Sequence, residues 1–531
     1  MPKWRGDLAV TSGWQKTLHH LARTPNDAAV AVLIPLLDSP HQDIQVAALD
    51  ALLERRSPGG LHEILRRLNR IRPGWETVLE EKCGRMADTF RDAILGQDRR
   101  LAAYACEAVC TFREYDLMPA LIAAVEAPAN PLADLAGRTI VRLAEQLSEE
   151  FDQTPDHRRR DPQFVRRNLV ASLESSVERF DRHGRKETLE AYLMLAAREN
   201  ATLKQILLDP TNPCLPDVLR MLRSSDKRGV FRLLLSFLDD PHAPLAALQV
   251  IAGRTDQAFV SALLSKVAEA QRTHAFYNFS RLEHLAWAAP ERIRELEEFS
   301  DIQQAAAVRL IAASGMARSE IVAALAHMAL RASVPARRAA VEALADYPVP
   351  KADAAIAEAL NDPDPHVVAR ATRQVRGRSL PDALARLISL ADHPHEAVRQ
   401  AVRDSLTEFS FAKYLASFDT LDPDVQRSTG ELVRKLDPTT LAGLRAEMAS
   451  NTRSRRLRAI AMAAAMNLVD DLQDELALMA DDRDSIVRVE AIEVLANLNS
   501  PAAHDALRLA LTDPSPAVQD AARRALHQLI W

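Results

Sequence analysis

The sequence predicts an all-α protein: an α-solenoid, or superhelix, of stacked antiparallel helix pairs. Three observations lead there. A turn motif carrying aspartate returns at Asp362, Asp392, Asp422, Asp482 and Asp513, with spacings of 30, 30, 60 and 31 residues. The double interval hides one degenerate copy around Asn451. Apolar residues make up 47% of the chain but aromatics only 5%, so the apolar mass is Ala and Leu, which suits close-packed helices and suits sheets poorly. The 29 prolines are expected to fall between helical stretches and mark helix starts. At 531 residues the chain is also longer than the roughly 250–300 residues one core can serve, as an open-ended stack would be.

Three segments follow in order. Residues 1–147 read as N-terminal repeats, from Leu37-Asp38-Ser39-Pro40-His41 through Ala93–Phe112 to Asn130–Leu147. Residues 148–300 form a divergent helical middle. It opens on a polar insertion, Ser148–Pro162, and continues in long helices expected over Gln163–Phe180 and Lys186–Leu208. Residues 301–531 form the regular array. Its clearest module runs from Asp482 to Asp513, where Ile486, Val487, Val489, Ile492, Val494, Leu495 and Leu498 mark an apolar helical stripe. Asn499-Ser500-Pro501 ends that helix, and a second helix follows, with Ala503, Ala506, Leu507, Leu509, Ala510 and Leu511 as its apolar residues. Division of the length by the period gives fourteen to sixteen helix pairs. Module openings share one device. In Ser39-Pro40, Asp240-Pro241, Asp364-Pro365, Asp422-Pro423 and Ser515-Pro516, a side-chain oxygen precedes proline. That oxygen is expected to cap orphan amides of the first turn.

This pattern resembles HEAT repeats, in particular the short bacterial kind also found in phycobilisome-lyase-like proteins. The matching residues are the Asp-x-Pro turn and Val398-Arg399-Gln400-Ala401, Val487-Arg488-Val489-Glu490-Ala491, Val518-Gln519-Asp520-Ala521 and Val308-Arg309 to Ala312. The resemblance implies a scaffold or adaptor whose concave face binds another protein, with no cofactor. It also carries a minor implication of bilin lyase-like activity, which no residue here supports.

Charge and composition narrow the function classes. The net charge of −6 gives no bulk attraction to nucleic acid, so that partner is not expected. Its distribution is uneven: 16 Lys/Arg face 10 Asp/Glu over Arg158–Arg232, and 5 face 12 over Asp470–Trp531. The four cysteines, Cys83, Cys106, Cys110 and Cys214, read as buried free thiols of a reducing compartment. No apolar signal core opens the chain and no run reaches the roughly 20 residues of a membrane span, so the expectation is a cytoplasmic protein.

No nucleophile elbow, phosphate-binding Gly loop or His-Glu-x-x-His occurs, and the protein is expected not to be an enzyme. Cys106 and Cys110 share a helix face but lack two further zinc ligands nearby. Recurring turn histidines (His41, His242, His366 and His395) read as turn residues, and Phe276, Tyr277, Phe279 and Trp287 as core packing or an aromatic contact. Two basic clusters remain as candidate partner contacts: Arg158, Arg159, Arg160, Arg166 and Arg167, and then Arg453, Arg455, Arg456 and Arg458. Guanidinium forks match carboxylates and phosphates, so an acidic protein surface or, as the rival, a nucleic-acid backbone would be their ligand. The contact is expected in the basic middle segment, where the repeat rule fails.

Overall fold

The computed structural model describes residues 13–151, 161–269 and 273–529. Among these residues there are 33 α-helices and no strand. The chain divides into two compact units, one of residues up to Trp287 with Ala313–Met316, the other of Ala288–Ala312 with the residues from Ala317 on.

In the second unit, seven helices stack into one layer, each against the next: Val334–Ala343, Pro365–Gln374, Glu396–Ser405, Pro423–Leu436, Arg453–Ala465, Ser485–Leu495 and Pro516–Leu529. Their starts are 31, 31, 27, 30, 32 and 31 residues apart, which is the period of the turn motif. The alternate helices, from Pro350–Ala359 to Pro501–Ala510, form the other layer, and each packs on the first-layer helix that follows it. This is the α-solenoid of antiparallel pairs. Neighbour-only packing follows, since a single pair has no other element on which to bury its apolar stripe.

The first unit keeps the same two-layer order. Arg99–Phe112, Ala133–Glu150, Lys186–Leu195, Arg228–Ser236 and Gln257–Ala268 stack in one layer. Ala28–Leu36, Pro58–Arg67, Ala87–Leu95, Met118–Glu126 and Pro162–Val177 stack in the other. The order therefore persists through a middle segment whose sequence repeat is faint. One helix there differs from expectation: Lys186–Leu208 is two helices, Lys186–Leu195 and Ala201–Leu208. The break is local chemistry. Ala196 turns extended, and the Asn200 side chain accepts the Leu203 amide (3.0 Å), starting a new helix.

The cores are Leu- and Ala-rich, with a few aromatics where helices approach closely. Phe411 and Tyr414 of Phe411–Ser417 are buried against Gly443 and Gly430. A Cβ on Gly430 would stand 2.8 Å from the Tyr414 Oη. In the same cluster Leu495 is fully buried, as its helical phase requires, whereas Ile486 at the start of its helix is 49% exposed.

The module openings meet the expected cap in part. Asp364 does cap: its Oδ1 accepts the amides of His366 (3.1 Å) and Val367 (3.0 Å). Asp422 makes no side-chain cap bond. Ser39 and Asp240 instead fold the turn ahead of the helix, accepting the amides of His41 (3.2 Å) and His242 (2.9 Å). The recurring aspartate two residues before the cap position has another partner. Asp362 accepts Nε and Nη2 of Arg337 at 2.7 and 2.9 Å, and Asp513 accepts those of Arg488 at 2.8 and 2.9 Å. Asp482 lies 2.8 Å from Nε of Arg456 and accepts its Nη2 at 3.0 Å. Each arginine also reaches a carbonyl of the turn before its own helix: Ala332 (3.0 Å), Ser450 (2.9 Å) or Asp482 (2.7 Å). Each aspartate holds the amide two residues on, at 2.7–2.8 Å. One forked cation thus ties two successive turns.

Other arginines satisfy carbonyls of a neighbouring module. Arg55 reaches the carbonyls of Leu21 and Thr24, Arg254 those of Leu222 and Ser225, and Arg378 those of Leu344 and Tyr347. Most of these acceptors are orphan groups at helix C-termini or in the turns that follow, which would otherwise need water.

Three outcomes are expected in chemical and thermal unfolding. Leu495→Ala costs about 2–5 kcal/mol through lost burial and a cavity; an unchanged midpoint would refute the helix phase. Arg488→Ala costs about 3–5 kcal/mol, because it strands the Asp513 carboxylate in a nearly buried site; a loss indistinguishable from that of an exposed arginine would refute the clamp. Asp364→Ala lowers the midpoint, while Asp422→Ala leaves it unchanged. The Arg338 guanidinium, with help from the Val367 and His366 amides, holds the Asp364 carboxyl down to about 2 against the opposing effect of burial. Because the folded value lies below the unfolded one of about 3.9, this stabilisation is full above pH ~4 and is lost as pH falls toward ~2. Wild type and Asp364→Ala should therefore converge in stability across that acid window.

Candidate functional site

The two basic clusters are placed very differently. Arg158, Arg159 and Arg160 lie outside the described residues. Arg166 is half-buried on helix Pro162–Val177, donates Nε to the Leu195 carbonyl (2.6 Å) and stacks over the Phe151 ring at 5.3 Å. Arg232 covers the same ring at 5.2 Å. Burial first, and the nearby Arg232 charge second, depress the pKa of Arg166. Arg167, next to it, is exposed.

All four arginines of the second cluster have carboxylates of their own chain. Arg453 lies 3.5 Å from Asp484, Arg455 donates to both Glu447 oxygens, and Arg458 pairs with Asp419. Arg456 is only 5% exposed and is the clamp on Asp482. The signal that separates Arg456 from its neighbours is its offset of 26 residues from the turn aspartate, against 25 for Arg337 and Arg488.

The remaining motifs take structural places. Cys106 and Cys110 are buried free thiols; burial raises both, Cys110 to about 12, so neither is a ready thiolate. Among the described residues no group of three or more His, Cys, Asp or Glu is arranged to hold a metal ion. His41, His242 and His395 are exposed turn residues, and His366 is exposed in the first turn of helix Pro365–Gln374. Phe279 and Trp287 are buried, Phe276 is half-buried and Tyr277 is 57% exposed. Between them Asn278 is fully buried, donating to the Asp240 carbonyl at 2.9 Å, so the cluster secures a turn. No helix among the described residues is long and apolar enough to cross a membrane.

Sequence reasoning missed a groove in the second unit, between the N-terminal stretch Ala288–Ile293 and the helices Arg318–Arg331 and Pro350–Ala359. Its volume is about 420 Å³. Methyl and methylene groups of Ala288, Pro290, Ile293, Ala323, Leu330 and Ala354 make its walls. Glu320, Lys351 and Glu358 stand at its edge, exposed and without an ion-pair partner among the described residues. His327 also lines it, 2.7 Å from the Glu297 carboxylate. The alanines that open this groove fall at ordinary helix positions, so composition alone does not reveal it. Chemically it can seat an apolar side chain and fix the charges beside it.

Comparison with known proteins bears on the fold. Residues 472–529 match the family model described as HEAT repeats. No curated protein matches the sequence. A chain from a structure concerning the phosphorylation switch in the interaction between cadherin and beta-catenin is similar at 14% identity over 94% of this chain and 98% of that one, with a TM-score of 0.41. Yeast importin-beta (Kap95p) is similar at 12% identity over 96% of this chain and 85% of its own, with a TM-score of 0.25. For Kap121p the figures are 13% identity, 97% and 53%, and 0.24, so this chain spans about half of that protein. The turn, the Val-Arg pattern and the clamped helix pairs agree with the family match: residues 472–529 are HEAT repeats.

Proposed function

We propose that this protein is a non-enzymatic cytoplasmic scaffold or adaptor that holds another protein on its helix stack. The observation that carries the reading is the open groove edged by Glu320, Lys351 and Glu358. In this chain most arginines are engaged internally, by carboxylates or carbonyls. Exposed charges that lack such a partner, around an apolar floor, are what an arriving segment of another protein would meet. The floor would take an apolar anchor, and the two acids and one lysine would set its register. HEAT repeats at residues 472–529 support the reading, since stacked helix pairs make long surfaces from neighbour-only contacts. The middle segment, residues 148–300, adds exposed Arg167, Arg223 and Arg228, each on its own helix and none ion-paired among the described residues.

Affinity purification with crosslinking in the native cell tests this. The wild-type chain should retain a defined protein, and crosslinks should map to residues 288–358. Ala323→Arg with Ala354→Arg fills the groove at partly exposed positions and should lose that protein without lowering the unfolding midpoint. Full retention by the filled variant would refute the groove as the contact. A wild-type chain that retains no protein above background would refute the scaffold reading itself.

A further inference from the structure

The two most exposed large apolar side chains described in the protein are Leu478, at 76%, and Leu509, at 72%. They are 31 residues apart, near the ends of helices Gln473–Met479 and Pro501–Ala510, and so occupy one position in successive modules. Those two helices pack on each other. One turn before each leucine, on the same helix face, stands an exposed aspartate, Asp474 or Asp505. Asp470 and Asp471 are exposed just ahead of the first helix.

None of these four carboxylates has an ion-pair partner among the described residues. Carboxylates nearby are paired: Glu475, on the first of these helices, with Arg445 (2.6 Å), Glu493 with Arg524 (3.0 Å) and Asp520 with Arg523 (2.9 Å). Arg508 is the one Lys or Arg on the two helices, so the face is negative. The pattern also has an edge: one module earlier the position of Leu478 is held by Glu447, which is buried and paired with Arg455.

We propose that this ridge docks a basic amphipathic helix of a protein partner. Neighbouring stacked helices lie about 8–10 Å apart, which sets the separation of equivalent positions such as Leu478 and Leu509. Residues i and i+7 of an α-helix are about 10.5 Å apart on one face. A helix crossing the two modules can therefore set one apolar anchor beside each leucine, while its flanking Lys and Arg meet Asp470, Asp471, Asp474 and Asp505. Desolvation of the leucines supplies the docking and the carboxylates select for positive charge. The inference rests on the scaffold reading but uses a different surface from the groove, so the groove-filling variant should leave it intact.

The test is fluorescence anisotropy on the full chain with a labelled eighteen-residue peptide, rich in Lys and with Leu at i, i+3, i+4 and i+7. A peptide of the same composition, with its leucines spread around the helix, is the control. The amphipathic peptide should bind at least about tenfold tighter than the control. Leu478→Asp with Leu509→Asp should cut its affinity at least about tenfold, although that variant is more negative. Asp474→Asn with Asp505→Asn, which leaves the leucines in place, should weaken binding several-fold and flatten its dependence on salt. Equal binding of the two peptides, or equal or tighter binding by the double-Asp variant, would show adhesion by charge alone and overturn the proposal. A concentration-dependent dimer in sedimentation that the double-Asp variant abolishes would assign the ridge to a second copy of the chain and equally overturn it.

Discussion

The structure depends on arginines that reach across module boundaries. An amphipathic helix pair is not stable alone, because half of its apolar surface faces the next pair. Burial supplies the attraction between modules but is indifferent to register. Arg337–Asp362, Arg456–Asp482 and Arg488–Asp513 supply register, since a guanidinium fork has one good geometry on a carboxylate. Each fork also holds a carbonyl of the preceding turn, so a sliding module would break several bonds at once. In buried surroundings such a break strands a charge, which makes the arrangement nearly all-or-none.

The same device limits where a partner can bind. Surface arginines often mark acidic or phosphorylated ligands, but here most of them serve the chain itself. Arg456 is a buried clamp, and Arg453, Arg455 and Arg458 face Asp484, Glu447 and Asp419. Free charge stands beside exposed apolar surface at Glu320, Lys351 and Glu358 around an apolar groove, and at four unpaired aspartates near Leu478 and Leu509. Both places combine exposed apolar groups with charges that the chain leaves unanswered.

Much of the fold was legible from residues alone. The aspartate spacing named the architecture, and the helical stripe placed Leu495 in the core. The role of the aspartates was less legible. The residue just before proline was read as a cap, which Asp364 is and Asp422 is not. The partner of Asp513 lies 25 residues upstream, in the Val487-Arg488 pair, and a local rule cannot weigh it. The cap falls to Asp364, as expected, and to Asp484, each two residues beyond a clamp aspartate. The middle segment hid its order for the converse reason. Residues 186–208 contain neither proline nor glycine, so nothing announced the break that Ala196 and Asn200 make. The groove was invisible because small residues make a cavity only through what packs around them.

The central claim is that stability travels from module to module through these clamps. Native-state hydrogen exchange on Asp513→Asn tests it directly. The account predicts that protection falls most in helices 485–495 and 516–529, less in 453–465, and not at all in 318–331. A uniform loss of protection across the second unit, or none at the clamp, would contradict it.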